Sequence, residues 1–344
     1  MEELKIKNLL MVKEYRKSGI LISFVLLRFI ATCLITNTHY NDVYPIEAIA
    51  VGGLLGDVIF FVVSGVGLAR PTRQKFIIWY GRRILRIQPT IIFGVALYLL
   101  TGYQGLEKFN VFQAFIFPTF FVFTAAISIL YIPFYFVNKI ENKKTYINIV
   151  ILFLVIWFLA YSFVLDKSTY EMNNTWNPMI AFPYFLSMMI GGYIRKFGIK
   201  KRGKMQMLLY ITMTCAFMVK YFFLTKLIRG NEQLFSIQIA VQIALMIAIF
   251  SLVSIFYFME DSFKKWPDWV LSPINFIATF TLEIYVIQKP IINFLADIIF
   301  PINWILITLS IFIGAVIARI FINFIITSIV MLIKRVKKEM VNKI

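Results

Sequence analysis

Long apolar runs separated by short basic segments make up most of this chain. About 20 consecutive apolar residues form a helix long enough to cross a bilayer. The pattern predicts ten helices, at residues 20–38, 48–69, 87–102, 112–137, 145–165, 176–194, 205–224, 233–259, 273–296 and 303–333. The predicted fold class is therefore an all-α polytopic membrane protein, with about ten transmembrane helices in a single domain over residues 1–344 and no appended soluble domain.

Lys and Arg are distributed unevenly among the predicted loops. They are abundant before the first predicted helix and in every second loop after it, whereas the intervening loops hold only Lys108, Lys167, Lys226 and Arg229. Basic residues collect in the cytoplasmic loops of membrane proteins, so both termini are predicted to be cytoplasmic. This distribution indicates a multi-pass protein of the cell membrane, with membrane lipid as its immediate partner.

The composition argues against two other classes of protein. Of 344 residues, 60% are hydrophobic and 15% are charged, which is more apolar than a soluble domain needs. A net charge of +18 would suggest nucleic-acid binding in a soluble protein, but no soluble basic domain is predicted, and no nucleic-acid partner is expected. One histidine and two separated cysteines do not supply the usual zinc ligands, so no metal site is expected.

The first predicted helix carries Arg28 in its middle and His39, the single histidine of the sequence, at its end. Eleven residues are close to three helical turns, so the two side chains are expected on one helix face, about 16 Å apart along the axis. An ionisable group inside an apolar span costs ~2.5–3.5 kcal/mol, which predicts that this face meets protein or water rather than lipid. We interpret the face as the lining of a reaction site.

Each of these residues also has a structural alternative. His39 could be hydrogen-bonded at the outer membrane interface, and Arg28 could form an ion pair with Glu283 of the ninth predicted helix. Asp57, inside the second predicted helix, could serve helix packing and hydrogen bonding, or it could orient His39. In the same helix, Gly52 and Gly56 have the spacing of four residues that permits close helix approach in membranes.

A basic segment precedes the third predicted helix and contains six basic residues, Arg70, Arg73, Lys75, Arg82, Arg83 and Arg86. Pro89 is expected to open that helix, because a proline in the first turn loses no helical hydrogen bond. The segment could anchor the protein beside anionic lipid. Alternatively, its guanidinium groups could bind a phosphorylated cytosolic cosubstrate, since they match phosphate geometry.

Three motifs follow one another along the chain: arginine and histidine separated by ten residues at 28 and 39, FFVVSG at 60–65, and RILR at 83–86 followed by Pro89. A looser FPYF and GGY run occupies residues 182–193. Together, in this order and spacing, they resemble the acyltransferase-3 family of integral-membrane acyltransferases, and the resemblance spans essentially the whole chain.

The resemblance implies an enzyme that transfers an acyl group, most simply acetyl, from cytosolic acyl-CoA (acetyl-CoA) to a hydroxyl of a glycan. The acceptor would be a cell-surface polysaccharide, such as an exopolysaccharide or capsule, or its lipid-linked precursor. His39 matches the essential histidine of the family and Arg28 its paired basic residue, while Arg83 and Arg86 match the CoA-binding pair. The second motif supplies residues expected to pack around the site, which are Phe60, Phe61, Ser64 and Gly65. No permanently bound cofactor is implied.

Two positions depart from the family pattern. Many members carry an acid two residues before the FF pair, where this chain has Val58, with Asp57 one residue earlier. Many also carry a histidine after a Tyr-Leu pair in a late helix, where this chain has Gln288. An amide cannot act as a base, so any proton transfer performed at that position in relatives is not expected here.

Two functions from other classes stay open at this point. A polysaccharide or precursor exporter would also have ten helices with buried charges, although no inverted repeat is detectable. A structural subunit of a glycan-synthesis complex would retain the motifs without activity. The abundance of Lys, Ile, Asn and Phe is typical of an AT-rich bacterial genome.

Overall fold

The computed structural model describes residues 21–70, 74–105, 110–201 and 203–341, and within these ranges it contains helices but no strand. The helices are α1 Ile22–Asn37, α2 Gly53–Leu68, α3 Phe76–Leu100, α4 Val122–Asn138, α5 Lys143–Phe163, α6 Ala181–Phe197, α7 Lys204–Arg229, α8 Ile239–Phe258, α9 Glu260–Phe263, α10 Asp268–Thr279, α11 Thr281–Leu295 and α12 Ile302–Val341. The all-helical prediction is confirmed. The basic N-terminal arm, Arg73 and Lys108 lie outside the described residues.

The number of membrane spans is settled only in part. Six helices are long and apolar enough to cross a bilayer, and a seventh span results if the bent pair α10 and α11 is counted as one. A helix or this bent pair lies at each of the ten predicted positions, but α1 and α4 are shorter apolar helices. The protein is thus a membrane protein, while the count of ten and the cytoplasmic placement of the termini stay predictions.

The first helix is held in place by a remote carboxylate. Both oxygens of Glu260 accept backbone N–H groups at the start of α1, from Ile22 at 3.0 Å and from Ser23 at 2.8 Å. These N–H groups have no partner within their own helix, and a negative charge is favourable at a helix N-terminus. Glu260 is buried, so α1 is fixed relative to the end of α8.

The third helix begins earlier than predicted. It starts at Phe76 and contains Pro89 in its interior, so the expectation that the helix opens at Pro89 is wrong. The hydropathy pattern predicts a loop for residues 76–86 because of their arginines. The structure instead anchors this stretch against α4, where the buried Trp79 packs on Tyr131 and Tyr135. Arg82, Arg83 and Arg86 are therefore helical residues.

Glycines bring α2 into backbone contact with two neighbours. A Cβ added to Gly65 would overlap the carbonyl oxygen of Met188 in α6, and one added to Gly191 would overlap that of Val62 in α2. On the other side of α2, a Cβ at Gly56 would lie 2.9 Å from the carbonyl oxygen of Ala31 in α1. The predicted close approach at Gly56 is confirmed.

The ninth predicted helix is broken. α10 and α11 meet at Phe280 with a bend of 69°. One large hydrophobic cluster joins α1, α2, α4, α5, α6, α7 and α8 with Trp79 of α3, and a second joins the later part of α3 to α11 and α12. Tyr285 packs against both clusters, so the bend lies where they meet.

Candidate active site

Arg28 is bound directly to the bend between α10 and α11. Its Nε donates a hydrogen bond to Oγ1 of Thr281 at 3.2 Å, and its guanidinium lies 5.7 Å from the ring centre of Phe60. Thr32, one turn after Arg28, shares a 2.9 Å hydrogen bond with Thr281. Among the described residues, Arg28 makes side-chain hydrogen bonds through Nε only, so its terminal amino groups can bind a ligand.

Glu283 pairs with Arg319 of α12 rather than with Arg28. The guanidinium donates from Nε to one carboxylate oxygen at 2.7 Å and from its terminal amino group to the other at 2.6 Å. Arg319 also donates to the Thr279 carbonyl at 3.1 Å, which satisfies an acceptor freed by the bend. The structural alternative in which Arg28 forms an ion pair with Glu283 is therefore wrong, because a bidentate partner already occupies the carboxylate.

A small cavity adjoins the hydroxyl groups that hold Arg28. Its lining comes from α1, α2, α4 and α11, and consists of Thr32, Ile35, Thr36, Phe60, Phe123, Thr281, Leu282, Ile284, Tyr285 and Gln288. Gln288 is fully buried there, and neither atom of its amide has a hydrogen-bond partner among the described residues. The site thus contains a polar group to which no described residue offers a hydrogen bond.

His39 lies past the end of α1. The helix ends at Asn37, and His39 sits half-buried in the following turn, with its backbone N–H bonded to the Thr36 carbonyl at 3.0 Å. The expectation that Arg28 and His39 project from one continuous helix is therefore wrong, because the helix ends two residues before His39. Burial, and then the positive charge of Lys289, lowers the pKa of His39 to about 4. The imidazole is neutral at physiological pH and can accept a proton.

Arg83 and Arg86 share one face of α3, three residues apart. The guanidinium of Arg83 lies 5.0 Å from the ring centre of Trp79, and Arg86 is exposed. The charges of both residues and of Arg28 interact with the hydroxyl group of Tyr131. The RxxR pair and Arg28 therefore belong to one continuous basic region.

The residues of the second motif pack against α4 and α6. Phe60 and Phe61 both pack on Phe123, at 4.8 and 5.3 Å between ring centres. Gly65 makes the backbone contact with α6, and Ser64 lies half-buried one residue before it.

Asp57 is bound by α6. It accepts a hydrogen bond from the Tyr184 hydroxyl at 2.8 Å, and the Tyr184 ring stacks on Phe61 at 4.3 Å. Of the two alternatives for Asp57, this contact favours packing and hydrogen bonding over a role in orienting His39.

The sequence analysis assigned no site role to Thr32, Thr281, Tyr131 or Arg319. Thr32 is one turn from Arg28 and so shares its helix face, which is a signal that the sequence does contain. Arg319 stands alone within an apolar run, which also marks it. The contact of Thr281 depends on a bend at Phe280, and that residue type does not indicate a break in a helix.

Comparison with known proteins adds one match. The sequence profile of the acyltransferase-3 family, described as an acyltransferase domain, matches residues 21–331. No curated protein and no solved structure matches the chain. The match covers most of the 344 residues and includes all the motifs and the residues around the bend. The chain belongs to the acyltransferase-3 family of membrane acyltransferases.

Proposed function

We propose that this protein transfers an acetyl group from cytosolic acetyl-CoA to a hydroxyl of a cell-surface polysaccharide or of its lipid-linked precursor, in the cell membrane of a bacterium. The observation that carries the proposal is the position of Arg28. Its guanidinium is fixed by Thr281 beside a cavity, and its charge interacts with the charge of the exposed Arg86 on α3. Such a region can bind a phosphorylated donor and lead its acyl end inward.

The reaction needs a base, a positive group and a place for the acyl carbon. His39 accepts the proton of the acceptor hydroxyl as its oxygen attacks the thioester carbon. A new C–O bond forms, the C–S bond breaks, and the proton passes from the imidazole to the departing CoA sulfur. The products are the glycan ester and free CoA. Arg28 stabilises the negative charge that develops on the carbonyl oxygen.

The two substrates are proposed to arrive from opposite faces. Arg83 and Arg86 lie in the first half of α3, and the distribution of basic loops predicts that the start of this helix is cytoplasmic. His39 follows the opposite end of α1. CoA would therefore bind at the arginine pair, and the acceptor would reach His39 from outside.

Substitution of His39 tests the reaction. We expect His39→Ala and His39→Gln to remove acyl groups from the glycan while the polymer still reaches the surface, because the base is lost but the fold is kept. A general base contributes roughly 10²–10⁴-fold in rate. Glycan mass and surface polymer are measured together. Loss of surface polymer would favour an exporter, and normal acylation in His39→Ala would overturn the proposal.

A matched arginine series tests the donor site. Arg83→Gln and Arg86→Gln are expected to raise the KM for acetyl-CoA roughly tenfold or more each, because each loses a charged hydrogen bond to phosphate. Arg82→Gln is the control, since Arg82 is exposed on the same helix but outside the RxxR pair. Steady-state kinetics on oriented vesicles supply the values. An equal effect of all three changes would indicate general charge attraction instead of a defined site.

A further inference from the structure

Gln288 has no evident structural reason to be where it is. It is 0% exposed in the middle of α11, and both Oε1 and Nε2 are without a hydrogen-bond partner in the part of the chain that the structure describes. A buried polar group without a partner lowers stability relative to an apolar residue of similar size. The loss of stability at Gln288 is explained if a ligand supplies the missing hydrogen-bond partner.

The cavity beside Gln288 indicates what that ligand presents. The cavity has a volume of about 20 Å³, which is room for one group of the size of a water molecule or a methyl. Three aromatic rings, of Phe60, Phe123 and Tyr285, form much of its wall. Thr281, which holds Arg28, lines the same cavity. The surface that the cavity exposes is apolar, so the group that fits inside it is a small apolar end, and Gln288 is one of the residues of its wall.

We propose, on the basis of the acyl transfer proposed above, that this cavity receives the acyl end of the donor and that Gln288 binds its carbonyl oxygen. The methyl of an acetyl group fills the cavity, and Nε2 of Gln288 donates to the oxygen. When the acceptor oxygen adds to the carbonyl carbon, the electron pair moves onto that oxygen, where Gln288 and Arg28 stabilise it. That electron pair re-forms the carbonyl double bond as the C–S bond breaks and the sulfur leaves with the electrons of that bond. The size of the cavity restricts the donor to two carbons.

Removal of the amide tests the role of Gln288. In Gln288→Leu we expect kcat to fall roughly 10²-fold, the loss typical of one oxyanion donor. The melting temperature should stay level or rise, because an unpartnered polar group is removed. A residue of purely structural value would instead lose stability and activity together.

Gln242 of α8 is the matched control. It is also fully buried and its Oε1 also has no partner among the described residues, but its Nε2 donates to the Met172 carbonyl at 2.8 Å and it does not line the cavity. Gln242→Leu should lower the melting temperature and leave kcat per folded molecule unchanged. If Gln288→Leu behaves in the same way as Gln242→Leu, the assignment of Gln288 is overturned.

Donor length tests the cavity. The wild-type protein should use acetyl-CoA at least tenfold better than propionyl-CoA, as one methylene in a tight pocket changes kcat/KM by roughly 10–200-fold. Ile284→Ala enlarges the lining and should reduce this preference at least tenfold. Ile292→Ala, a buried isoleucine of the same helix outside the cavity, should keep it. Equal use of both donors by the wild type would overturn the restriction to two carbons.

The two proposals fail in different ways. A wild-type protein that transfers no acyl group from any acyl-CoA would refute the proposed function itself. An active wild type whose Gln288 and Ile284 variants match their controls would refute only the acyl cavity.

Discussion

Two contact regions of this molecule are built by opposite means. Between α2 and α6, glycines bring one backbone directly against the other, as Gly65 meets Met188 and Gly191 meets Val62. Around the bend between α10 and α11, the helices are joined by side-chain hydrogen bonds of Arg28, Glu283 and Arg319. The first region contains no ionisable group in these contacts, and the second contains three.

The difference separates the residues that build the scaffold from the residues that carry the chemistry. Close glycine packing leaves no space for a ligand, so Gly65 fixes the position of α2 and thereby of Phe60 beside Arg28. The polar region keeps a cavity, and the amide of Gln288 there has no hydrogen-bond partner within the described ranges of the chain. We infer that the glycine contact holds the wall of the site and that the bend supplies its reacting groups.

Breaking the ion pair at the bend should have the largest effect on stability. Arg319→Met leaves the carboxylate of Glu283, which is 3% exposed, without its bidentate partner. Loss of one partner of a buried pair costs about 3–5 kcal/mol. We expect a marked fall in melting temperature in detergent, partly reversed in the double variant Glu283→Met, Arg319→Met. If the single variant melts like the wild type, the pair does not hold the bend.

Disturbing the glycine contact should have the next largest effect. Gly65→Ala places a Cβ in the carbonyl of Met188, so α2 and α6 must separate, at a cost of about 1–3 kcal/mol as for other overpacked sites. Gly67→Ala is the control, since no atom of a described residue lies within 4 Å of its added Cβ. The control should be neutral or slightly stabilising, because alanine favours helix. Thermal unfolding of both variants is compared, and equal melting temperatures would contradict the close contact.

The smallest expected effect concerns the pH dependence of transfer. Burial and Lys289 lower the pKa of His39 to about 4, so the base form persists well below pH 6.5. The acidic limb of kcat/KM against pH should therefore have its midpoint near 4. Lys289→Met removes one of the two causes of the lowered His39 pKa and should move the midpoint upward. The midpoint should stay below 6.5, because the burial of His39 remains. An unchanged midpoint would show that Lys289 does not act on His39, and Lys220→Met serves as the distant control.

The motifs were recognisable in the sequence because their residue types are rare in apolar helices. Arg28 and His39 stand out for that reason, and the RxxR spacing places Arg83 and Arg86 on one helical face. Gly56 was identifiable from its spacing to Gly52. The start of α3 was misjudged, because the hydropathy pattern treats arginines as loop residues although a buried Trp79 can anchor them on a helix.

The sequence by itself determined that this is an all-helical membrane protein of the acyltransferase-3 family and which ionisable residues stand in its apolar helices. Those properties depend on residue type and local spacing. Only the tertiary structure decided that Glu283 pairs with Arg319 rather than with Arg28, that His39 lies beyond the end of α1, and that Gln288 faces a cavity. The pairing of Glu283 and the cavity at Gln288 depend on the bend at Phe280 and on contacts between helices far apart in the chain, and the place of His39 depends on the turn after Asn37. The hydropathy pattern specifies none of these.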